Sequence, residues 1–183
     1  MAGHEQHYIM PRASFEKPVK LAIVMSPYYK DIADNMLAGA VAEIEAAGGS
    51  YEVVQVPGAL EIPTAIAIAD GSANFDGFVA LGCVICGETT HYETVCNDSS
   101  RAIQLLGLQG LCIGNGILTV ENRKQAEVRA DPGDQNKGGG AAAAALHLIA
   151  LTRKWGAQTK GVGFKAPSEA ILLAGTENGP RTA

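Results

Sequence analysis

The chain lacks an excess of positive charge, long apolar runs and aromatic residues, and each shortage narrows what it can be. Its net charge is −5, so it offers no general attraction to nucleic acid or to anionic lipid, both of which demand a basic surface. No stretch approaches the roughly 20 apolar residues that cross a bilayer. Met1 to Lys17, interrupted by Glu5 and Glu16, has no apolar centre of the kind a secretion signal needs. These absences predict a cytoplasmic protein with no nucleic-acid or membrane partner. Aromatics make up only 5% of the 183 residues, which makes the adjacent pair Tyr28-Tyr29 conspicuous. Cysteine is sparse too. Cys83, Cys86, Cys96 and Cys112 lie in or beside apolar stretches, as small buried hydrophobes do. Cys83 and Cys86 form a Cys-x-x-Cys, but no second ligand pair of zinc-site spacing follows, so neither metal nor redox cofactor is expected.

What is present is enough apolar material, 47% of residues, to pack a single core at this length. Short, nearly continuous apolar runs at 20–25, 51–56, 78–85 and 111–118 read as strands buried on both faces. Between them the period becomes helical. Ala33, Met36, Leu37, Ala40, Ile44 and Ala47 recur on one stripe, which Gly48-Gly49 ends. Pro63 suits the first turn of a second helix reaching about Asp70. A third helix follows His91, with Tyr92, Val95, Cys96, Ser99, Ile103 and Leu106 along one face. A short polar helix runs from Val120-Glu121-Asn122 to about Arg129, then the turn Asp131-Pro132-Gly133-Asp134, then an alanine-rich helix from about Gly138 to Trp155. Gly156 reads as its stop, with Arg153 and Lys154 complementing its dipole.

Alternating strands and helices imply a parallel sheet with right-handed crossovers, hence an α/β/α three-layer sandwich, flavodoxin-like, with a four-stranded sheet. Three segments result: an N-terminal arm over 1–18, expected to be flexible; a domain over 19–156; and a tail over 157–183, expected to be disordered apart from the apolar run around Ile171-Leu172-Leu173. Ligands of such sheets lie beyond the carboxyl ends of the strands, which selects the loops 26–31, 57–61, 85–91 and 114–121.

The loop 85–91 passes from the third strand into the third helix. Free N–H groups at a helix start, beside a glycine, form an anion site, and the same segment permits ordinary capping by Thr89 or Thr90. His91 adds a group able to take and return a proton near neutrality. His147 falls mid-helix, and His4 and His7 fall in the arm. Arg129 and Lys137 flank the Asp-Pro-Gly-Asp turn and suit phosphate, although spacing alone does not bring them to His91. Tyr28 and Tyr29 offer faces for a planar heterocycle or for packing. Glu61 is placed to accept from ligand hydroxyls or to favour a helix start.

Together these segments resemble the 6,7-dimethyl-8-ribityllumazine synthase family. The resemblance rests on Val-Pro-Gly-Ala-Leu-Glu-Ile-Pro at 56–63, Ala-Leu-Gly-Cys-Val-Ile-Cys-Gly-Glu-Thr-Thr-His-Tyr at 80–92, Val-Cys-Asn at 95–97, Gly-Ile-Leu-Thr-Val-Glu-Asn at 116–122 and Asn-Lys-Gly-Gly at 136–139. It implies condensation of 5-amino-6-(D-ribitylamino)uracil with 3,4-dihydroxy-2-butanone 4-phosphate to the lumazine, phosphate and water, without a cofactor. His91 then matches the proton-transfer histidine and Tyr28 the ring that stacks on the pyrimidine. Ala59 and Glu61 match the ribityl-contacting segment, Val84 and Ile85 the pyrimidine pocket, and Glu88 and Thr89 the phosphate-binding backbone. Asn115, Arg129 and Lys137 match residues supplied by a neighbouring subunit of a pentamer or a 60-chain shell, Arg129 being the phosphate-binding arginine. Three positions depart from the family: Cys86 for an arginine or lysine, Asn115 for an aromatic and Gly140 for an acidic residue. A rival reading is a non-catalytic lumazine- or flavin-binding, or shell-forming, protein of the same fold.

Overall fold

The computed structural model describes residue 8 and residues 10–72 and 74–158, the side chains of 157 and 158 excepted. Four parallel strands, β1 (Lys20–Met25), β2 (Ser50–Gln55), β3 (Gly77–Ile85) and β4 (Ile113–Val120), form a sheet in the order β2-β1-β3-β4. Five helices connect and follow them: α1 (Lys30–Ala46), α2 (Glu61–Ser72), α3 (His91–Leu108), α4 (Arg123–Ala130) and α5 (Lys137–Gln158). Alternation along β1 divides the interior. Leu21, Ile23 and Met25 point to a layer with Met36 and Ile44 of α1, Ala126 of α4 and Leu146 and Ile149 of α5. Ala22 and Val24 point to the opposite layer, with Ile62 and Ile66 of α2 and Ile103 of α3. This is the expected three-layer sandwich. No helix among the described residues is long and apolar enough to cross a membrane.

Several expectations are corrected. β2 is not buried on both faces: every residue in it except Tyr51 is exposed. It is an edge strand, paired only with β1, and among its hydrophobic side chains only Tyr51 packs against the core. On the other edge, β4 leaves Asn115 and Thr119 exposed. β4 also runs later than the apolar pattern suggests, staying in register with β3 as far as Ile85 opposite Val120. The strand expected over 111–118 thus lies at Ile113–Val120, and the loop expected from 114 begins only after it. Gly114 serves close packing: a Cβ there would lie 1.8 Å from the carbonyl oxygen of Ala141 in α5, a position no side chain can share.

Pro63 is the third residue of α2, still within the turn where its missing N–H costs nothing. α1 ends near Gly48 at φ 73° as expected. α5 does not stop at Gly156 but continues to Gln158. Arg153 is thus not in its last turn. Instead the guanidinium donates to the carbonyls of Lys17 (2.8 Å) and Pro18 (3.0 Å) and to Asp76 (2.9 Å), closing the amino end of the sheet. Asp76 also accepts from the Lys20 N–H at 2.8 Å. In the arm, Phe15 lies under Arg153 at 5.4 Å and Arg12 pairs with Glu43 of α1 at 2.9 Å. Residues 159–183, which include Ile171-Leu172-Leu173, lie outside the described residues.

Candidate active site

β1 and β2 end side by side, Met25 opposite Gln55, while β3 runs on past Leu81 to Ile85; the loops beyond these three strands enclose a cleft of about 470 Å³, a volume suited to one or two small molecules. Of the residues singled out in the sequence, Tyr28, Tyr29, Ala59, Glu61, Val84, Ile85, Thr89 and His91 line it. Tyr28 is 73% exposed, in the bend at 28–29 that joins the buried end of β1 to α1. The Tyr29 ring supports it edge-on, with centroids 5.0 Å apart and planes at 74°. Ala59 is buried, and Glu61 opens α2 with its carboxylate folded back over Gly58, where a Cβ would come within 2.8 Å of Glu61 Oε2. Glycine at 58 is what leaves room for that carboxylate.

Val84 and Ile85 are half-buried at the carboxyl end of β3, facing opposite layers, and both line the cleft. His91 is exposed as the first residue of α3. Thr90 is the N-cap but makes no side-chain capping bond, so the expected capping by threonine is not found there. The positive end of the α3 dipole therefore faces the cleft without a side-chain acceptor from its own N-cap. Glu88 lies exposed in the same loop, outside the lining.

Asn115, Arg129 and Lys137 are not brought to this cleft. Asn115 lines a separate groove of about 270 Å³ with Cys96, Asn97 and Thr119 on the α3/β4 side, its Oδ1 accepting from the Ile117 N–H at 3.0 Å. Arg129 is half-buried, one Nη1 donating to Gln125 O of its own helix at 3.1 Å. Lys137 is exposed at the start of α5. Neither cation is ion-paired among the described residues.

The sequence reading passed over several lining residues: Ser26, Gly58, Leu60, Cys83, Gly87, Tyr92 and Val95. Ser26 is buried, and its Oγ donates to Pro57 O (3.3 Å) while its N–H donates to Leu81 O (3.0 Å). It ties the end of β1 to the middle of β3 and to the loop before α2. Its place beyond an apolar strand was the available signal. Burial pushes the Cys83 thiol up to about 11, and burial likewise raises Tyr29 and Tyr92, so these groups stay neutral beside the cleft. The expectation that all four cysteines are buried holds only for Cys112; Cys83 and Cys96 are half-buried and Cys86 is exposed, because β3 ends one residue before it. Among the described residues no three His, Cys, Asp or Glu side chains are grouped to hold a metal ion. Gly140 is exposed, and a Cβ there would meet nothing within 4 Å, so packing does not demand glycine.

The sequence profile of 6,7-dimethyl-8-ribityllumazine synthase matches residues 18–153. The chain belongs to this family. A 6,7-dimethyl-8-ribityllumazine synthase of Jannaschia sp. (strain CCS1) is 60% identical over 95% of this chain and 97% of its own. That of Novosphingobium aromaticivorans is 54% identical over 74% of this chain and 98% of its own. A protein of Mesorhizobium japonicum named 6,7-dimethyl-8-ribityllumazine synthase 1 is 47% identical over 87% of this chain and all of its own. The matched residues include all four strands and every loop of the cleft.

Proposed function

We propose that this family member condenses 5-amino-6-(D-ribitylamino)uracil with 3,4-dihydroxy-2-butanone 4-phosphate, releasing 6,7-dimethyl-8-ribityllumazine, phosphate and water. The observation that carries the reading is the convergence of an exposed imidazole, an exposed tyrosine face, a carboxylate and a helix N-terminus on one cleft. The uracil stacks on Tyr28 against Val84 and Ile85. Its ribityl hydroxyls lie along Ala59 and donate to Glu61. The phosphate meets the N–H groups of Glu88 and Thr89 at the start of α3, where backbone donors and the helix dipole favour an anion.

The 5-amino group adds to the ketone, and loss of water leaves an imine. Removal of a proton next to the imine expels phosphate from the adjoining carbon. The resulting enol becomes a ketone, and the ribityl-bearing nitrogen closes the ring on it with loss of a second water. His91 takes and returns the protons that these steps move, since an imidazole does both near neutral pH. No step needs an electron acceptor.

A single chain has too little positive charge at its cleft for a phosphorylated substrate, and Arg129 and Lys137 point elsewhere. We therefore place Asn115, Arg129 and Lys137 against the cleft of a neighbouring copy in a ring of at least five chains. The exposed face of β4 and the α3/β4 groove support a neighbour on that side. The test is subunit mixing. Arg129→Ala and His91→Ala proteins are each expected to be nearly inactive, and co-assembled rings should regain lumazine formation because some clefts then receive both intact residues. Mixed rings as inactive as their parents would overturn the shared site. Absence of lumazine absorbance from wild-type protein with both substrates would overturn the enzyme reading and leave a binding or shell-forming role.

A further inference from the structure

We infer that Asp31 and Arg123, neither of which lines the cleft, are positioning residues for its heterocycle-binding wall. Arg123 is the first residue of α4 and Asp31 the second of α1. The Arg123 guanidinium is fixed on its own helix by Nε, which donates to Glu127 at 2.9 Å, and reaches across with Nη2 to Asp31 Oδ2. A planar fork held at one side loses little further freedom in making its second bond. Among the described residues this is the one side-chain hydrogen bond or ion pair linking residues 26–31 to α4.

What that bond steadies is the segment carrying Tyr28 and Tyr29. Tyr29 is the N-cap of α1 and makes no side-chain capping bond, and its carbonyl accepts from Ala33 at 2.9 Å. Asp31 sits in that same first turn. Anchoring Asp31 thus fixes the turn, the turn fixes Tyr29, and the Tyr29 ring sets the edge-on support for Tyr28. Asp31 is two residues from Tyr29, which lines the cleft, while neither Asp31 nor Arg123 lines it. Both partners are at least half exposed, 50% and 62%; pairs this wet add little to global stability. Local order in the stacking loop is what the pair supplies.

The inference rests on the reading that Tyr28 stacks on the uracil. It is tested with Asp31→Asn, Arg123→Gln, the double variant and Arg123→Lys in the assembled protein. For Arg123→Gln and Asp31→Asn, KM for the ribitylaminouracil should rise about three- to fivefold, the scale of one exposed ion pair. The turnover number, KM for the butanone phosphate and the melting temperature should hold. The double variant should cost no more than either single one, and Arg123→Lys should recover part of the loss. An unchanged uracil KM, additive losses, or a parallel shift of both KM values with the melting temperature would overturn the inference. Tyr28→Ala separates the two levels. If it leaves the uracil KM alone, the stacking reading itself fails; if it raises that KM while Arg123→Gln does not, only the positioning role falls.

Discussion

At the amino end of the sheet, Arg153 holds the carbonyls of Lys17 and Pro18 and the carboxylate of Asp76, while Ile149 fills the space beside Gly77. At the carboxyl end the same strands run into an open cleft whose rim carries an exposed imidazole, an exposed tyrosine and an exposed carboxylate. Polar groups at the closed end are spent on one another, whereas those at the open end keep their bonding capacity. A site must hold groups that would be more stable elsewhere, and this fold confines them to one end so that the other can compensate.

The largest test of that division is His91→Ala. Loss of a proton-transfer group should lower the turnover number by about 10²- to 10⁴-fold, while the urea midpoint stays put. A large drop in midpoint would make His91 structural and erase the contrast. At the closed end, Ile149→Ala should cost about 2–5 kcal/mol of stability by urea unfolding, because the side chain is 2% exposed. Turnover of the folded fraction should be unaffected. Arg153→Ala should cost about 1–2 kcal/mol, the worth of charge-assisted hydrogen bonds at a partly exposed site. A change in KM for either substrate would show that the two ends communicate.

The smallest effect sharpens the comparison within the open end. With its thiol raised to about 11 by burial, Cys83 should resist iodoacetamide at pH 8, while exposed Cys86 is alkylated, as peptide mapping would show. The sign of the linked stability follows. Above about pH 8.5, where an unfolded cysteine ionises, the unfolded chain gives up the proton that the folded chain keeps. Stability from Cys83 is therefore fully present below that pH and declines as pH rises towards 11. A urea midpoint that falls less over this range in Cys83→Ser than in wild type would show it.

How much of this could be read before the fold was known varies from residue to residue. The stripe Ala33 to Ile44 and the run Lys20 to Met25 were legible because burial on one side of a helix or both sides of a strand writes its own period. β2 was misread because an apolar run looks alike whether helices cover it or a sheet edge leaves it bare. The loop after β4 was placed too early because Gly114 and Gly116, which close packing against α5 requires, interrupt the apolar run without ending the strand. Placement beyond the strand ends found His91, Tyr28 and Glu61. It missed Ser26 and Cys83, whose roles come from neighbours distant in sequence.

The sequence by itself determined the order of strands and helices, the loops from which the cleft is built and the family to which the chain belongs, since local period and motif spacing survive without coordinates. The tertiary structure decided which of those residues meet. It gathers eight of the expected side chains into one cleft and leaves Asn115, Arg129 and Lys137 on other faces. It also joins Asp31 to Arg123 across 92 positions of chain. Such contacts depend on how helices dock on a twisted sheet, a long-range property that no local pattern of residues encodes.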